Sequence, residues 1–232
     1  MGLKVTYGPN VITDSLVFTL DAANKNSYPG SGTNWYDLSG NGNNGTLTNG
    51  PTFDPTNLGN IVFDGVDDYL NFGDKDAFTN QSFTYELTFK PQSFNRVIIN
   101  KYQSGGFEYD FGFYNNVLYG WVCNSPYNGR TAPITNYTSL NTWGHYVWSV
   151  DSTTGYTTKL YFNGVQIDDT NFSSGTPTSI PNTSISLTVG VDGYGLLGPI
   201  YGSMGFIRLY NKVLTQQEIN QNYNAIKSRY GY

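Results

Sequence analysis

The last 32 residues of the chain, positions 201–232, contain the one clear helical pattern in the sequence. Thr215 is placed as a helix N-cap, Glu218 completes a capping box three residues later, and Leu214 is placed to contact Ile219. Apolar side chains then recur at spacings of four, three and four residues, which puts them on one face: Ile219, Tyr223, Ile226 and Tyr230. Gly231 is typical of a helix end. Because no other stretch has a comparable helical period, the remaining chain must form the surface that this helix covers.

Composition favours β-structure for that remainder. Charged residues make up only 12% of the 232 positions, whereas Gly (27), Asn (27) and Tyr (20) are abundant. Glycine and asparagine are typical of turns and tyrosine of strands, so few helix-formers are left. The length suffices for one large β-domain whose core needs neither disulfide nor metal. The single cysteine, Cys123, is interpreted as a small buried residue of a strand.

The charge balance argues against two classes of partner. Twelve Lys and Arg residues face 17 Asp and Glu residues, for a net charge of −5. Such a chain has no basic surface for a phosphate backbone or an anionic lipid surface. No segment approaches the roughly 18 apolar residues of a membrane span, and the first ten residues lack the apolar core of a signal peptide. We therefore expect neither nucleic acid nor a membrane as partner.

Alternating polar and apolar residues predict strands throughout the chain. The clearest example is residues 82–90, which place Phe83, Tyr85, Leu87 and Phe89 on one face, predicted to be core, and Glu86 on the other. Two hairpin turns are predicted, at Asn115-Asn116 and Asn163-Gly164. Further strands are predicted at residues 16–21, 61–63, 69–72, 96–102, 107–114, 117–123, 141–150, 158–163, 165–168, 184–190 and 202–210. About eleven or twelve short strands with no internal repeat indicate an all-β, two-sheet antiparallel sandwich.

Two segments fall outside this strand pattern. Residues 1–14 form an N-terminal arm with little pattern of its own, followed by one domain over residues 15–232. Residues 24–60 are rich in Gly, Asn, Pro and Ser and are interpreted as an ordered loop. Four apolar side chains are predicted to anchor that loop to the sheet: Trp35, Tyr36, Leu38 and Leu47.

Several motifs carry a family resemblance. The sequences FDGVDDY (63–69), WGHYV (143–147), LYFNG (160–164) and FIRLYN (206–211) resemble, in this order, the laminin-G-like branch of the concanavalin A-like lectin/glucanase superfamily. The resemblance spans about residues 16–230. It implies a jelly-roll sandwich with one C-terminal helix, an architecture that hosts enzymes, lectins and structural modules.

Residues 15–47 and 222–231 are also similar to versions of this domain in structural proteins of tailed bacteriophages. That resemblance implies a non-enzymatic virion protein displayed on the capsid or tail, with other capsid or tail subunits as partners. The arm at residues 1–14 is then the expected contact with neighbouring subunits. The alternatives are an adhesin that binds host surface glycans and, third, a glycoside hydrolase.

The hydrolase alternative depends on carboxylates. Glucanases with this fold carry acidic residues on one face of a strand, because the acid and the nucleophile must lie about 5 Å apart. Glu108 and Asp110 supply two same-facing carboxylates, but Gly112 and Phe113 occupy the positions where a third would fall. The expectation is therefore no catalysis, with Glu108 and Asp110 facing solvent or binding a sugar. The single histidine, His145, has no nucleophile motif nearby and is interpreted as a strand residue.

The densest acidic cluster is the turn containing Asp64, Asp67 and Asp68. Laminin-G-like domains often bind Ca²⁺ through carboxylates and carbonyls, so the resemblance raises a Ca²⁺ site at Asp64 or Asp68. Relatives often have an acidic residue before the last strand's Arg and Tyr, where this chain has Gly205 and Phe206. The favoured interpretation is a turn whose aspartates accept hydrogen bonds from their own backbone, with no cofactor.

Aromatic residues, at 16% of the chain, make sugar binding the remaining hypothesis. Tyrosine and tryptophan rings stack on sugars, while polar side chains bind the hydroxyls. One stretch concentrates such residues and is the predicted glycan site: Tyr109, Tyr119, Trp121, Tyr127 and Arg130.

Overall fold

A computed structural model describes residues 9–75, 81–103, 106–122, 128–167, 170–191, 193 and 197–232. These residues form seventeen strands and one α-helix, α1 (Gln216–Tyr230). The strands are β1 (Leu16–Asp21), β2 (Asn34–Trp35), β3 (Gly45–Thr48), β4 (Thr52–Asp54), β5 (Asn60–Asp64), β6 (Tyr69–Asn71), β7 (Phe83–Pro91), β8 (Val97–Gln103), β9 (Gly106–Tyr114), β10 (Val117–Val122), β11 (Asn128–Pro133), β12 (Gly144–Asp151), β13 (Thr157–Phe162), β14 (Val165–Gln166), β15 (Thr170–Ser173), β16 (Thr188–Val189) and β17 (Tyr201–Tyr210). No helix in the described part of the chain is long and apolar enough to cross a membrane.

The strands form two antiparallel sheets. The front sheet has the order β14-β13-β12-β7-β17-β5-β4, and β1 pairs with β17 beyond the end of β5. The back sheet has the order β15-β11-β10-β9-β8-β16-β6-β3-β2. The core lies between them, where Trp148 of the front sheet stacks on Phe111 of the back sheet with ring centroids 5.5 Å apart. The prediction of an all-β, two-sheet antiparallel jelly-roll with one C-terminal helix is confirmed.

Helix α1 covers the outer face of the front sheet. Its N-terminus has the predicted capping box at Thr215 and Glu218, and Gly231 ends it in the left-handed conformation (φ 77°). Ile219 packs with Val147 and Tyr210 on that outer face. The helix therefore buries a second face of β7, including Glu86, whereas the alternating sequence pattern predicted only one buried face.

A β-bulge in β17 lets the helix end approach the sheet. The pairing of β17 with β7 shifts register between Met204 and Phe206, at Gly205. A Cβ atom on Gly205 would clash with the hydroxyl of Tyr230, at the end of α1. Glycine at this position is therefore a requirement of helix packing.

The long polar segment after β1 contains more structure than its sequence indicated. It was predicted as an ordered loop, yet it contributes the short strands β2, β3 and β4. Trp35 and Leu47 are buried as predicted, whereas Tyr36 and Leu38 are 41% and 37% exposed and do not anchor it. Two back-sheet strands, β11 and β15, were also not predicted.

The described part of the N-terminal arm packs on its own domain. The backbone N–H of Ile12 donates to Asn222 Oδ1 (2.7 Å), and the Tyr210 hydroxyl donates to the Ile12 carbonyl (3.1 Å). Lys212 Nζ lies 2.7 Å from Asp14. Residues 9–14 thus lie along α1 and β17, and residues 1–8 lie outside the described residues.

Candidate functional site

The predicted glycan residues divide between the two faces of the back sheet. Tyr109 is fully buried, and its hydroxyl lies 3.1 Å from that of Tyr85 in the core. It shares the inward face of β9 with Phe111 and Phe113. The prediction that Tyr109 contacts a sugar is therefore corrected, because its ring faces the opposite sheet.

Tyr119 and Trp121 of β10 lie on the outer face of the back sheet. Trp121 pairs with Asp110 of β9, and Tyr119 pairs with Gly112. The Tyr119 hydroxyl donates to Asp110 Oδ2 at 2.9 Å. The two rings meet edge to face with centroids 6.2 Å apart, and Trp121 is partly exposed. Two aromatic rings and one carboxylate therefore share a single patch.

Arg130 does not join that patch. It pairs with Gly120 of β10, whose position faces Trp148 of the front sheet. Cross-strand partners point to the same face, so Arg130 lies one residue out of phase with Tyr119 and Trp121. The prediction that groups Arg130 with these rings is corrected. Tyr127, the fifth residue of the predicted site, lies outside the described residues.

The patch continues as a row of polar side chains across neighbouring strands. Asp110 pairs with Asn100 of β8, and Asn100 pairs with Thr188 of β16. Asn100 is 2% exposed; its Oδ1 accepts the backbone N–H of Tyr102 (3.0 Å), while its buried Nδ2 has no hydrogen-bond partner in the described structure. We call Trp121, Asp110, Asn100 and Thr188, with the adjoining Tyr119, the outer row. Sequence reasoning missed Asn100 and Thr188, because only the strand register brings them into one row with Trp121, two and three strands away.

Glu108 is held in a separate buried ion pair. It is 3% exposed and lies 2.8 Å from Lys101 Nζ, which is itself 3.2 Å from Asp74. The same Glu108 oxygen accepts the N–H (2.8 Å) and the hydroxyl (2.6 Å) of Thr183. The expectation that Glu108 and Asp110 face solvent is corrected: both carboxylates are buried and hydrogen-bonded. Glu108 fixes the segment that precedes β16 to the back sheet.

The predicted acidic cluster is a hydrogen-bonded turn between β5 and β6. Carboxylate oxygens of Asp64, Asp67 and Asp68 lie within 4.8 Å of one another. Asp64 Oδ1 accepts the N–H of Val66 (2.8 Å), and Asp68 Oδ2 accepts the N–H of Asp64 (3.0 Å). Burial raises the pKa of Asp68, and the neighbouring Asp64 and Asp67 charges add to that shift. The donor set suits Ca²⁺, yet two of the carboxylates already serve the turn, so a Ca²⁺ site at Asp64 or Asp68 stays a prediction.

The single histidine belongs to a buried polar cluster under α1. His145 Nε2 lies 2.7 Å from Glu86 Oε1, and both side chains are fully buried. Asn222 of α1 donates to Glu86 Oε2 (2.8 Å), and Arg208 of β17 lies 3.5 Å from Glu86. Burial would raise the pKa of Glu86, but the Arg208 charge and the hydrogen bonds from His145 and Asn222 outweigh it, and that pKa lies below its usual value. The cluster faces the helix, so we assign it to the structure and not to a ligand site.

A laminin-G-type family model, described as the concanavalin A-like lectin/glucanases superfamily, matches residues 64–220. That match covers more than half of the chain, so the chain belongs to this superfamily. No curated protein sequence matches this chain.

Many solved structures share the fold. Domain 4 of AbnA, a GH43 extracellular arabinanase from Geobacillus stearothermophilus solved in complex with arabinotriose, is similar over 90% of this chain and 98% of that domain (TM-score 0.67, 18% identity). Botulinum neurotoxin type C, described as depending on two ganglioside molecules for cell entry, is similar over 93% of this chain and 52% of its own (TM-score 0.70, 16% identity). A Trypanosoma rangeli sialidase mutant with trans-sialidase activity is similar over 96% of this chain and 35% of its own (TM-score 0.65, 17% identity). The chain thus spans about half, or less, of the toxin and sialidase chains.

Proposed function

We propose that this protein is a carbohydrate-binding domain and that the outer row is its binding site. One observation carries the proposal: two aromatic rings, a carboxylate and an amide nitrogen with no hydrogen-bond partner among the described residues lie on one face of adjoining strands. Trp121 offers partly exposed ring surface, while Tyr119 (7% exposed), Asp110 (6%) and Asn100 (2%) lie buried beside it and supply the polar atoms that we propose turn toward the sugar hydroxyls. Sugars present an apolar ring face bordered by hydroxyl groups, which this combination complements.

The structural comparisons support the same proposal. The arabinanase domain that matches almost end to end was solved with an oligosaccharide, and the neurotoxin is described as interacting with gangliosides. Their identities to this chain are below 20%, so they show a shared fold, and what they bind is a reason for this proposal only. We therefore base the location of the site on the residues of this chain alone.

We propose that binding is not accompanied by hydrolysis. Glu108 is neutralised by Lys101 and hydrogen-bonded by Thr183, and Asp110 is bound by Tyr119. A general acid needs access to the glycosidic oxygen, which a paired and buried glutamate does not provide. Turnover of β-glucans by the purified protein, abolished by Glu108→Gln, would overturn this proposal in favour of a glycoside hydrolase.

A glycan array followed by calorimetric titration of the strongest hit tests the binding site. Trp121→Ala removes the stacking ring, and Asp110→Asn keeps the shape of the side chain while removing its charge. We expect each variant to bind about tenfold more weakly or worse. Tyr36→Ala, which removes a 41% exposed ring directly after β2, at one edge of the back sheet, is the matched control. Wild-type affinity in both outer-row variants, with melting temperatures unchanged, would rule this site out.

We further propose that the domain acts on the surface of a bacteriophage virion, as a capsid or tail component. The proposal rests on the phage-like character of residues 15–47 and 222–231. Other virion proteins and host surface glycans are the partners it implies. Labelling the chain in intact particles tests it: a repeated lattice position indicates decoration, a fibre tip indicates recognition, and absence from particles rejects the virion role.

A further inference from the structure

We infer that the protein has a second, separate site for a neutral saccharide, in a depression beside the end of helix α1. The depression has a volume of about 480 Å³, within the roughly 300–1,000 Å³ of small-ligand sites. Its wall combines four aromatic side chains with hydroxyl and amide groups. The aromatic members are Tyr137, Trp143, Phe162 and Tyr232. We call it the helix-end depression.

The lining predicts the chemistry of the ligand. The remaining lining residues are all Thr, Ser or Asn, and the described lining contains no Asp, Glu, Lys or Arg. Lys90 Nζ lies over the Trp143 ring, 5.7 Å from its centroid, beside this wall but not among its lining groups, so the lining itself offers no charged partner to an ionic ligand. A neutral sugar needs only apolar ring contact and uncharged hydrogen-bonding groups, and both are present.

Contacts behind the surface hold these walls in place. The Trp143 indole N–H donates to Asn57 Oδ1 (3.2 Å), and Asn163 Oδ1 accepts the backbone N–H of His145 (2.9 Å). The Tyr232 ring stacks almost parallel to Tyr223, with centroids 5.6 Å apart. A site whose side chains are fixed before binding loses less conformational entropy on capture of a ligand.

Tyr137 is the most exposed of the four aromatic side chains of the depression. It follows a short 3-10 turn (Ile134–Asn136), is 37% exposed, and its ring centroid lies 6.4 Å from that of Phe162. Ser139 and Thr142 form part of the same lining, and their hydroxyls lie 3.0 Å apart. Sequence reasoning missed this site because its residues come from β13, two loops and the chain end.

The depression and the outer row lie on different parts of the molecule. The outer row is on the outer face of the back sheet, whereas the depression adjoins the ends of β12 and β13 in the front sheet, next to α1. One chain with two such sites can engage a branched or repeated glycan at two points, which raises avidity without any new contact. The inference does not depend on the outer row being correct.

Titrations followed by ¹H–¹⁵N NMR distinguish the two sites. The probes are arabinotriose, cellotriose and xylotriose, with a galacturonic acid trimer as the acidic comparison. We expect at least one neutral probe to shift the backbone amides of residues 135–139 and 162–163, and the acidic trimer to leave them unchanged. Shifts at residues 119–121 report the outer row independently, so either site can fail alone.

Two variants test the depression itself. Tyr137→Ala removes the exposed ring, and Ser139→Arg adds bulk and charge without removing any packed side chain. Each is expected to weaken the interaction at residues 135–139 by about tenfold or more, while Trp121→Ala leaves it unchanged. If none of the neutral probes shifts these amides, or if both variants bind like wild type, the second site does not exist.

Discussion

At the scale of single residues, the most constrained position is Glu86. Its carboxylate is fully buried and is approached by His145 of β12, by Arg208 and Tyr210 of β17, and by Asn222 of α1. A buried ionised carboxylate persists only when charges and donors compensate its lost hydration. The sequence placed Glu86 on the polar face of a strand but did not show that a helix would close over it.

Replacing Glu86 by Gln is expected to destabilise the fold by about 3–5 kcal/mol at neutral pH, because it leaves Arg208 buried without its carboxylate. The lowered pKa of Glu86 also fixes the pH dependence of its contribution. Its stabilisation is complete above its unfolded pKa of 4.5 and is lost as pH falls through the lower folded value.

Urea unfolding between pH 3 and pH 7 measures both effects. The wild type should lose stability on acidification below the unfolded pKa of Glu86, and the Glu86→Gln variant should lose less. Lys25→Gln, at an exposed charge outside this cluster, is the control and should keep the wild-type profile. Parallel pH profiles for wild type and Glu86→Gln would show that the Glu86 cluster does not set the acid sensitivity.

Gly205 gives a second prediction at this scale. An added methyl group at Gly205 meets the Tyr230 hydroxyl and Thr88, so Gly205→Ala should destabilise by about 1–3 kcal/mol through overpacking. Tyr230→Phe removes that hydroxyl and keeps the ring. In a double-mutant cycle Tyr230→Phe should recover part of the loss. Purely additive effects would mean that the bulge does not serve helix docking.

At the scale of elements, the sequence predicts those helices and turns whose signals lie within a few neighbouring residues. Helix α1 was predicted with its cap and its end, because Thr215, Glu218 and Gly231 act within a few residues. Hairpins at Asn115-Asn116 and Asn163-Gly164 were predicted for the same reason, and all four residues have positive φ. Strands β2 and β15 were missed, because two or four residues form a strand only when a neighbouring strand supplies the hydrogen bonds.

The helix cap carries a prediction of its own. Thr215→Ala removes the acceptor for the Glu218 N–H and is expected to cost about 1 kcal/mol. Thr215→Ser keeps the oxygen and should stay within a few tenths of a kcal/mol of wild type. Equilibrium urea unfolding compares the two. Equal losses would mean that packing of α1 on the front sheet fixes the helix start without the cap.

At the scale of the whole molecule, the sheets decide which residues act together. The predicted glycan residues were grouped because they are close in sequence, but β9, β10 and β11 send alternate side chains to opposite faces. Tyr109 and Arg130 therefore lie on inward positions, while Tyr119 and Trp121 lie outside. The sequence supplied the residue types of a sugar site. Only the register, which depends on long-range pairing, supplied Asn100 and Thr188 as neighbours.

The acidic turn bears on the whole fold because it joins the two sheets: β5 belongs to the front sheet and β6 to the back sheet. Asp64 and Asp68 each already accept a backbone N–H within this turn. We therefore expect the melting temperature to be the same with millimolar Ca²⁺ and with a chelator. Asp68→Ala is expected to lower the free energy of unfolding by about 1–3 kcal/mol, because it leaves the Asp64 N–H without its acceptor.

Differential scanning calorimetry of wild type, Asp64→Asn and Asp68→Ala separates the two interpretations of this turn. A capped turn gives a loss of stability in Asp68→Ala that is independent of calcium. A Ca²⁺ site instead gives a rise in the wild-type melting temperature that grows with Ca²⁺ concentration and disappears in Asp64→Asn, because a cation bound only to the folded state adds stability by mass action. That second result would mean that the metal, and not the backbone hydrogen bonds alone, fastens the two sheets together at this edge.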